Sequence, residues 1–475
     1  MKSGVPWIAT KLNATKSIRR LITSRQFSFS TILTVSTSDS PFDFLTMRHS
    51  PGFSFLLKSL ASLSAIQASS FLLSFIVILY TVRIIGPEKF GIIVLAQVFV
   101  QYLTILVQYG FTVSSTREVS FHRDNIREMN LLFSGTLIIK TVLATASLIV
   151  VAVSAWLIQP LRAEFNVYFF TALTLIGEAL SLLWMFQGLE KPASLLGTVF
   201  SCRTATAVAI VLIVRQPEDY YWIPLITSLG NILLSAVSLR LAFSRIGVRF
   251  VRVPIDRLLV MARMSTGFFL SRAAVTFYTT INTACLGLTL GNRMAGLYAA
   301  ADKVIKILPD MFYPLYVALF AHFNQSFDET TKPDKIRLYR LCFGSSLLAV
   351  MAISGALFIL ADPIIRILYG QDFAPSANLL RLMVLAPVMN HLSSMIGGSV
   401  LIPQGFQRVF NSSIMIATAC HGILLAGLFI TGSISLETIA LSAVIVETVI
   451  AVIRFRTILG HRNMRQWLVG PPQET

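Results

Sequence analysis

The stretch "RIIGPEKFGIIVLAQ", Arg83 to Gln97, breaks two long apolar runs with Gly86, Pro87, Glu88 and Lys89, and apolar sequence then resumes at once. Much later, "LGNRMAGLYAAADK", Leu290 to Lys303, has the same layout. Setting Gly86 on Gly291 places Gly91 on Gly296 and Ala96 on Ala301, with Gln97 opposite Asp302 and Gln101 opposite Lys306. A second echo pairs "FQGLEK", Phe186 to Lys191, with "PQGFQR", Pro403 to Arg408. Two marks in the same order read as an internal repeat of about half the chain. Glycine suits such places because it permits tight turns and close approach of one backbone to another.

The runs around these marks decide the class. The chain has 475 residues, 55% hydrophobic and only 13% charged, with a mean hydropathy of +0.73. Ordinary soluble domains are about 25% charged, so a bilayer is the natural solvent for this much apolar surface. A span needs about 20 apolar residues. About twelve such runs occur, at 59–82, 91–113, 131–157, 165–186, 193–214, 221–243, 265–290, 294–320, 340–361, 377–402, 409–431 and 436–456. Lipid leaves no partner for free backbone groups, so each run must be a helix or a barrel strand. Their length and lack of alternation make them helices.

The formal charge of +17 sits in short breaks, which is the membrane pattern rather than a nucleic-acid face. Alternate breaks are rich in Arg and Lys: Arg117, Arg123 and Arg127; Lys191; Arg245, Arg249, Arg252, Arg257 and Arg263; Lys332, Lys335, Arg337 and Arg340; Arg408; and Arg454, Arg456, Arg462 and Arg465. The others are poor. The rich set is expected on the cytoplasmic side, with both termini there and an even number of spans. Twelve spans in two groups of six then make parallel repeats, related by a pseudo-two-fold axis along the membrane normal. The expected division is an N-terminal six-helix bundle over 51–243, a basic linker over 244–264 on the anionic inner leaflet, a C-terminal bundle over 265–458 and a cytoplasmic tail over 459–475. Residues 1–50 read as an N-terminal extension, a disordered tail or a start mis-assigned ahead of Met47. Their Ser, Thr, Lys and Arg, with no acidic residue before Asp39, also resemble a transit peptide. Cys202, Cys285, Cys342 and Cys420 show neither disulfide nor metal spacing.

Enzymatic signatures are missing: there is no nucleotide-cradling loop, zinc helix or nucleophile elbow, and no cofactor is called for. The informative residues are ionisable ones inside runs, each costing about 2.5–3.5 kcal/mol at a helix centre. The eighth run holds Asp302, Lys303, Lys306 and Asp310, with Asp302, Lys306 and Asp310 four apart on one face and Pro309 beside them. The seventh offers Arg272, Thr276, Thr279, Thr280 and Thr283, and the second offers Gln97, Gln101, Thr104 and Gln108. Lys140, Glu178, Arg203 and Glu447 are single charges, of which the long basic ones can snorkel and the carboxylates can pair with a neighbouring helix. His322, His391 and His421 read as packed or interfacial. Polar stripes on matching helices of two like halves predict a wet cleft between them. Arg272, Lys303 and Lys306 tilt that cleft basic and suit it to a phosphate or diphosphate. Candidate substrate contacts are therefore Arg272, Lys303, Lys306, Arg203, Gln97 and Gln101, with Asp302 and Asp310 as candidate ion-coupling groups.

"YTVRIIGPEKFGIIVLAQ", "QYGFTVSSTREVS", "WMFQGLEKP", "SRAAVTFYTTINTACLG" and "AGLYAAADKVIKIL" resemble the polysaccharide-biosynthesis branch of the multidrug/oligosaccharidyl-lipid/polysaccharide exporter superfamily, in particular the O-antigen flippase (Wzx-like) family. The resemblance covers about residues 50–460. It implies an all-α membrane protein of two six-helix bundles around a V-shaped central cavity, working by alternating access in the bacterial inner membrane. It implies passage of an undecaprenyl-diphosphate-linked oligosaccharide to the periplasmic leaflet, and a cation-lined cavity onto which Arg272, Lys303 and Lys306 map. Partners implied are the lipid-linked oligosaccharide, anionic inner-leaflet lipids, and a polymerase with its chain-length machinery. The competing readings are a cation-coupled drug antiporter of the same superfamily, which wants acids to dominate the cavity, and a membrane-embedded polymerase, which wants a large loop that the chain lacks.

Overall fold

The structure is a computed structural model that describes residues 51–324, 332–461 and 464. The expected extension over 1–50, most of the tail and the side chain of His322 lie outside the described residues. Packing divides the chain at Leu57. Of the first unit, residues 51–57 are described and are helical. All that follows concerns the second, Lys58–Thr475.

Among the described residues the chain is helical throughout, with no strand, and every one of the twelve apolar runs falls on helix. Among the described residues ten helices are long and apolar enough to cross a bilayer, so the chain is a multi-pass membrane protein. The other two runs are special cases. The first lies mostly ahead of Val77, on the helix Pro51–Gln108. The eighth is the 33-residue helix Asn292–Asn324, set apart by the charges Asp302, Lys303, Lys306 and Asp310.

The repeat is visible in the backbone. Gly86 has φ 71° and ψ 175°; Gly291 has φ 90° and ψ 175°. These are matching glycine conformations closed to L side chains. Each breaks one helix and starts the next, with Pro87 pre-set for a first helical position in one copy. The two restarted helices then meet. A methyl group on Gly91 would stand 1.8 Å from the Asn292 carbonyl oxygen, and one on Gly296 would stand 2.0 Å from the Pro87 carbonyl oxygen. Pro87 and Asn292 are themselves repeat mates. The contact is thus exchanged, residue for residue, as a two-fold axis requires.

From this crossing the second and seventh runs pack antiparallel along their whole length. Leu95 lies against Gly287. The Thr280 hydroxyl donates to Tyr102 Oη at 2.9 Å. Tyr109 stacks on Phe269 with centroids 4.9 Å apart, and at the far end Ser114 Oγ and Ser265 Oγ are 2.7 Å apart. One apolar cluster joins Ile92 and Ala96 to Leu297, Ala300 and Ala301 across the glycine end.

Residues 244–264 form three pieces. A short π-helical turn ends at Ile246. An irregular strap, 247–254, is tied down by the Arg249 N–H to Asn130 Oδ1 at 2.8 Å and the Val251 N–H to Ser134 Oγ at 2.9 Å. The remainder is the start of the seventh-run helix Ile255–Leu290, where Arg257 pairs with Glu128 at 3.7 Å.

Candidate functional site: a polar cleft face and two interior cavities

Side chains that lipid would reject stand exposed along the second, seventh and eighth runs. Gln97 and Gln101 are exposed on one side of the seam, and Arg272, Lys306 and Asp310 on the other. Arg272 precedes Thr279 by seven residues, two turns of helix, so the two share a face. Thr279 in turn touches Lys306, whose Nζ donates to its carbonyl at 3.3 Å and to Asp302 Oδ2 at 2.5 Å. A polar face inside apolar helices is stable only against water or a polar ligand.

The three basic residues expected in one cavity are not gathered there. Lys303 is one turn from Lys306, but it leans across the seam over the Phe90 ring at 5.1 Å. Arg272 lies two turns away on the exposed face. Lys306 alone joins a half-open cavity of about 230 Å³ in the C-terminal half, continuous with the cleft face, and that cavity holds three carboxylates, Asp302, Asp310 and Glu447. The expectation that bases outnumber acids is thus reversed at this cavity. Lys303 and Lys306, three apart, lie on neighbouring parts of one helix side, so the helices packed around them decide which one reaches the cavity.

The wall of this cavity carries hydrogen-bonded polar groups from four helices, Asn282, Tyr298, Asn390 and Glu447, with two buried histidines behind it. Asn390 Nδ2 donates to Glu447 Oε2 at 3.1 Å. Asn282 Nδ2 donates to Tyr298 Oη at 3.1 Å and to the Ile439 carbonyl at 3.3 Å. His421 Nε2 lies 2.9 Å from Asn282 Oδ1. That oxygen only accepts, so Nε2 is the donor, and Nδ1 is left buried without a partner. His391 is held between Tyr316 Oη at 2.8 Å and Ser346 Oγ at 2.9 Å. Sequence reasoning set Glu447 aside and passed over Asn282 and Asn390. The signal that finds them is polarity at helical spacing: Thr279, Asn282 and Thr283 continue the seventh-run stripe. Arg454, counted from the sequence among the basic residues of the last break, is instead buried. Its Nε donates to Ser413 Oγ at 3.0 Å and its Nη1 to the Ser393 carbonyl at 3.0 Å, with the guanidinium 4.1 Å from the Phe410 centroid.

Arg203 belongs to neither the cleft face nor this cavity. It lines a second interior cavity, of about 160 Å³, in the N-terminal half together with Glu178 and Asn231.

Comparison with known proteins agrees with this architecture. Residues 56–327, more than half of the chain, match the family described as polysaccharide biosynthesis protein. An inferred O-antigen transporter of Shigella dysenteriae is 24% identical over 77% of this chain and 90% of its own length. Among solved structures, an inward-facing multidrug transporter of the MATE family aligns with a TM-score of 0.65 at 12% identity, covering 85% of this chain and 98% of its own. The lipid II flippase MurJ, inward closed, aligns with a TM-score of 0.58 at 14% identity, covering 84% and 87%. The structural likenesses establish a shared fold.

Proposed function

Since the chain belongs to the polysaccharide biosynthesis protein family, we propose that it is a flippase that carries a lipid-linked oligosaccharide, an undecaprenyl-diphosphate-borne O-antigen or exopolysaccharide unit, across the bacterial inner membrane by alternating access. The observation that carries this reading is the exposed polar face of Gln97, Gln101 and Arg272 within helices otherwise fit only for lipid, continued by Lys306 and Asp310 on the charged helix packed between them. Water in such a cleft replaces hydration whose loss costs tens of kcal/mol for a bare ion in hydrocarbon. The carrier's tail stays in the bilayer while its diphosphate meets Arg272 and Lys306 as a forked and a point cation. Gln97 and Gln101 offer amides to sugar hydroxyls, and Lys303 meets the anion once the seam parts from Phe90.

The bundles 51–243 and 265–458 are the rocking bodies, joined by 244–264, whose Arg245, Arg249, Arg252 and Arg263 are exposed for anionic lipid. By the excess of basic residues, both termini and the Ser114–Ser265 end of the seam face the cytoplasm, and the glycine crossing faces the periplasm. Asp302 and Asp310 are the coupling groups, since the Asp302–Lys306 pair must rearrange when an anion claims Lys306. A polymerase and its chain-length machinery take the product. No chemical step is assigned to the chain.

The test is reconstitution into liposomes with a labelled diphosphate-linked oligosaccharide, scoring movement between leaflets. Wild type moves the label; Lys306→Ala and Arg272→Ala insert normally and abolish movement. Wild-type movement in both variants removes the cleft assignment. The three carboxylates of the C-terminal cavity favour a drug/cation antiporter as the second reading. That reading predicts export of organic cations with no movement of the labelled lipid.

A further inference from the structure

The fourth run is a broken helix. Its pieces are Phe165–Ala172, Thr174–Leu180 and Leu183–Gly188, and Ser181 between the last two is extended, with ψ 127°. Non-helical backbone at membrane depth persists only where protein or a wet cavity satisfies it. Here the Ser181 carbonyl accepts from Trp184 Nε1 at 3.1 Å and, weakly, from Lys140 Nζ at 3.4 Å. Beside the break lies the cavity of about 160 Å³, lined by Glu178, Ser181, Arg203, Asn231, Ser235 and Ser238 with apolar neighbours.

The charges around it do not balance. Lys140 is only 3% exposed, and the long contact to Ser181 is its one hydrogen bond. Arg203 Nε is buried with no partner. The one nearby carboxylate, Glu178, takes the Gln108 amide at 2.9 Å, and among the described residues it forms no ion pair with either cation. The repeat shows that the fold does not need these charges. In the register that sets Gln187 on Gln404, Glu178 falls on Met395 and Arg203 on Cys420. Lys140 and Arg203 carry two positive charges against the single negative charge of Glu178, and Arg203 leaves an N–H donor unspent where it lines the cavity. A small anion beside Arg203 offsets the excess.

We propose that this N-terminal cavity binds a small inorganic anion of the halide class, held by Arg203, with Lys140 adding its charge from behind the break at Ser181. Leu183, Leu195, Val199 and Leu234 line the same cavity and give it an apolar shell that suits a weakly hydrated monovalent anion better than phosphate.

The full-length protein in detergent is heated with sodium bromide replacing sodium gluconate at constant ionic strength. The unfolding midpoint should rise saturably with bromide, and inorganic phosphate should not reproduce the rise. Arg203→Gln and Lys140→Met should each weaken the apparent bromide affinity by about tenfold or more. Glu178→Gln, which removes the competing carboxylate and keeps the side-chain shape, should tighten it. Bromide that raises the midpoint no more than gluconate does, phosphate that outdoes bromide, or a Glu178→Gln protein whose bromide response is unchanged or weaker overturns the proposal. Because the readout contains no lipid-linked sugar, it stands or falls separately from the flippase reading.

Discussion

The glycine crossing gives the sharpest test of the alternating-access reading. Replacing Gly91 by Ala puts a carbon 1.8 Å from the Asn292 carbonyl oxygen and 3.1 Å from the Gly296 nitrogen; replacing Gly296 by Ala puts one 2.0 Å from the Pro87 oxygen and 3.0 Å from the Gly91 nitrogen. Neither obstacle is a side chain that can swing away. The two backbones must separate by about 1.5 Å to reach ordinary contact, and overpacking of this kind typically costs about 1–3 kcal/mol. That cost falls on the conformation closed at the glycine end and not on one open there. The variants should therefore shift the population toward opening at this end by roughly 5–150-fold, the factor that 1–3 kcal/mol commands.

The assay is thiol accessibility in intact cells. With Cys202, Cys285, Cys342 and Cys420 replaced, a single Ala300→Cys probe reports on a site that is fully buried, 0% exposed, beside the crossing. A membrane-impermeant reagent added outside should label the probe slowly in the parent and faster in Gly91→Ala or Gly296→Ala, while flipping slows because the return stroke is disfavoured. The two changes open the same contact, so the double variant should show less than the sum of the single effects. Gly197→Ala is the control: nothing lies within 4 Å of its added carbon, and labelling should stay at the parental rate. Equal labelling in the parent, both crossing variants and the control would refute the gate and leave the glycines as packing devices alone.

Two further outcomes follow from contacts away from the crossing. A double-mutant cycle of Ser114→Ala and Ser265→Ala, whose hydroxyls lie 2.7 Å apart across the seam, should give a coupling of about 0.6 kcal/mol by reversible unfolding in detergent, the usual size of an interhelical hydrogen bond in a membrane. A coupling indistinguishable from zero means that the seam is looser at that end. Arg454→Met should keep much of the packing on Phe410 but remove the charged donor from Ser413 Oγ and the Ser393 carbonyl, which keep only their local partners, the Phe410 carbonyl and the Gly397 N–H, at a cost of about 1.5–3 kcal/mol per lost charged hydrogen bond; a midpoint within error of wild type contradicts a structural role.

What the sequence disclosed depended on whether the signal was local. The repeat at Gly86/Gly91 and Gly291/Gly296 was legible because backbone contact constrains residue type directly: no other residue fits at 1.8 Å and 2.0 Å. The runs were legible because lipid imposes length and polarity residue by residue. Which charge faces what was not. Lys303 and Lys306 differ by three positions, yet one leans on Phe90 and the other pairs with Asp302, and that depends on how the helix sits against its neighbours rather than on its own period. Arg454 misled for the same reason: a basic residue near a helix end reads as a loop anchor until Ser413 and Phe410, on another helix, arrive beside it. Glu447 became a cavity wall only through Asn390, 57 positions away.

That contrast bears on how two like halves perform unlike tasks. The exchanged contact at the crossing uses the carbonyl oxygens of Pro87 and Asn292, which every residue has, so the crossing survives when the side chains around it diverge; only the glycines are held. Interior charge carries no such constraint. The C-terminal cavity sets Asp302, Asp310 and Glu447 against Lys306, whereas in the N-terminal half Glu178 and Arg203 line the cavity with Lys140 buried close by. One backbone symmetry thus supports two surroundings of different charge, the first acidic and the second balanced at its lining with a buried lysine close by. A cation drawn to the first and an anion drawn to the second would each bias the same two bundles from a separate site. If so, neutralising either cavity alone should alter the rate of rocking and leave the glycine crossing intact, and the Ala300→Cys probe under a change of halide reads this directly. Bromide should change its labelling rate in the parent and leave the rate in Arg203→Gln where it was, and identical halide responses in the two proteins would sever the N-terminal cavity from the motion.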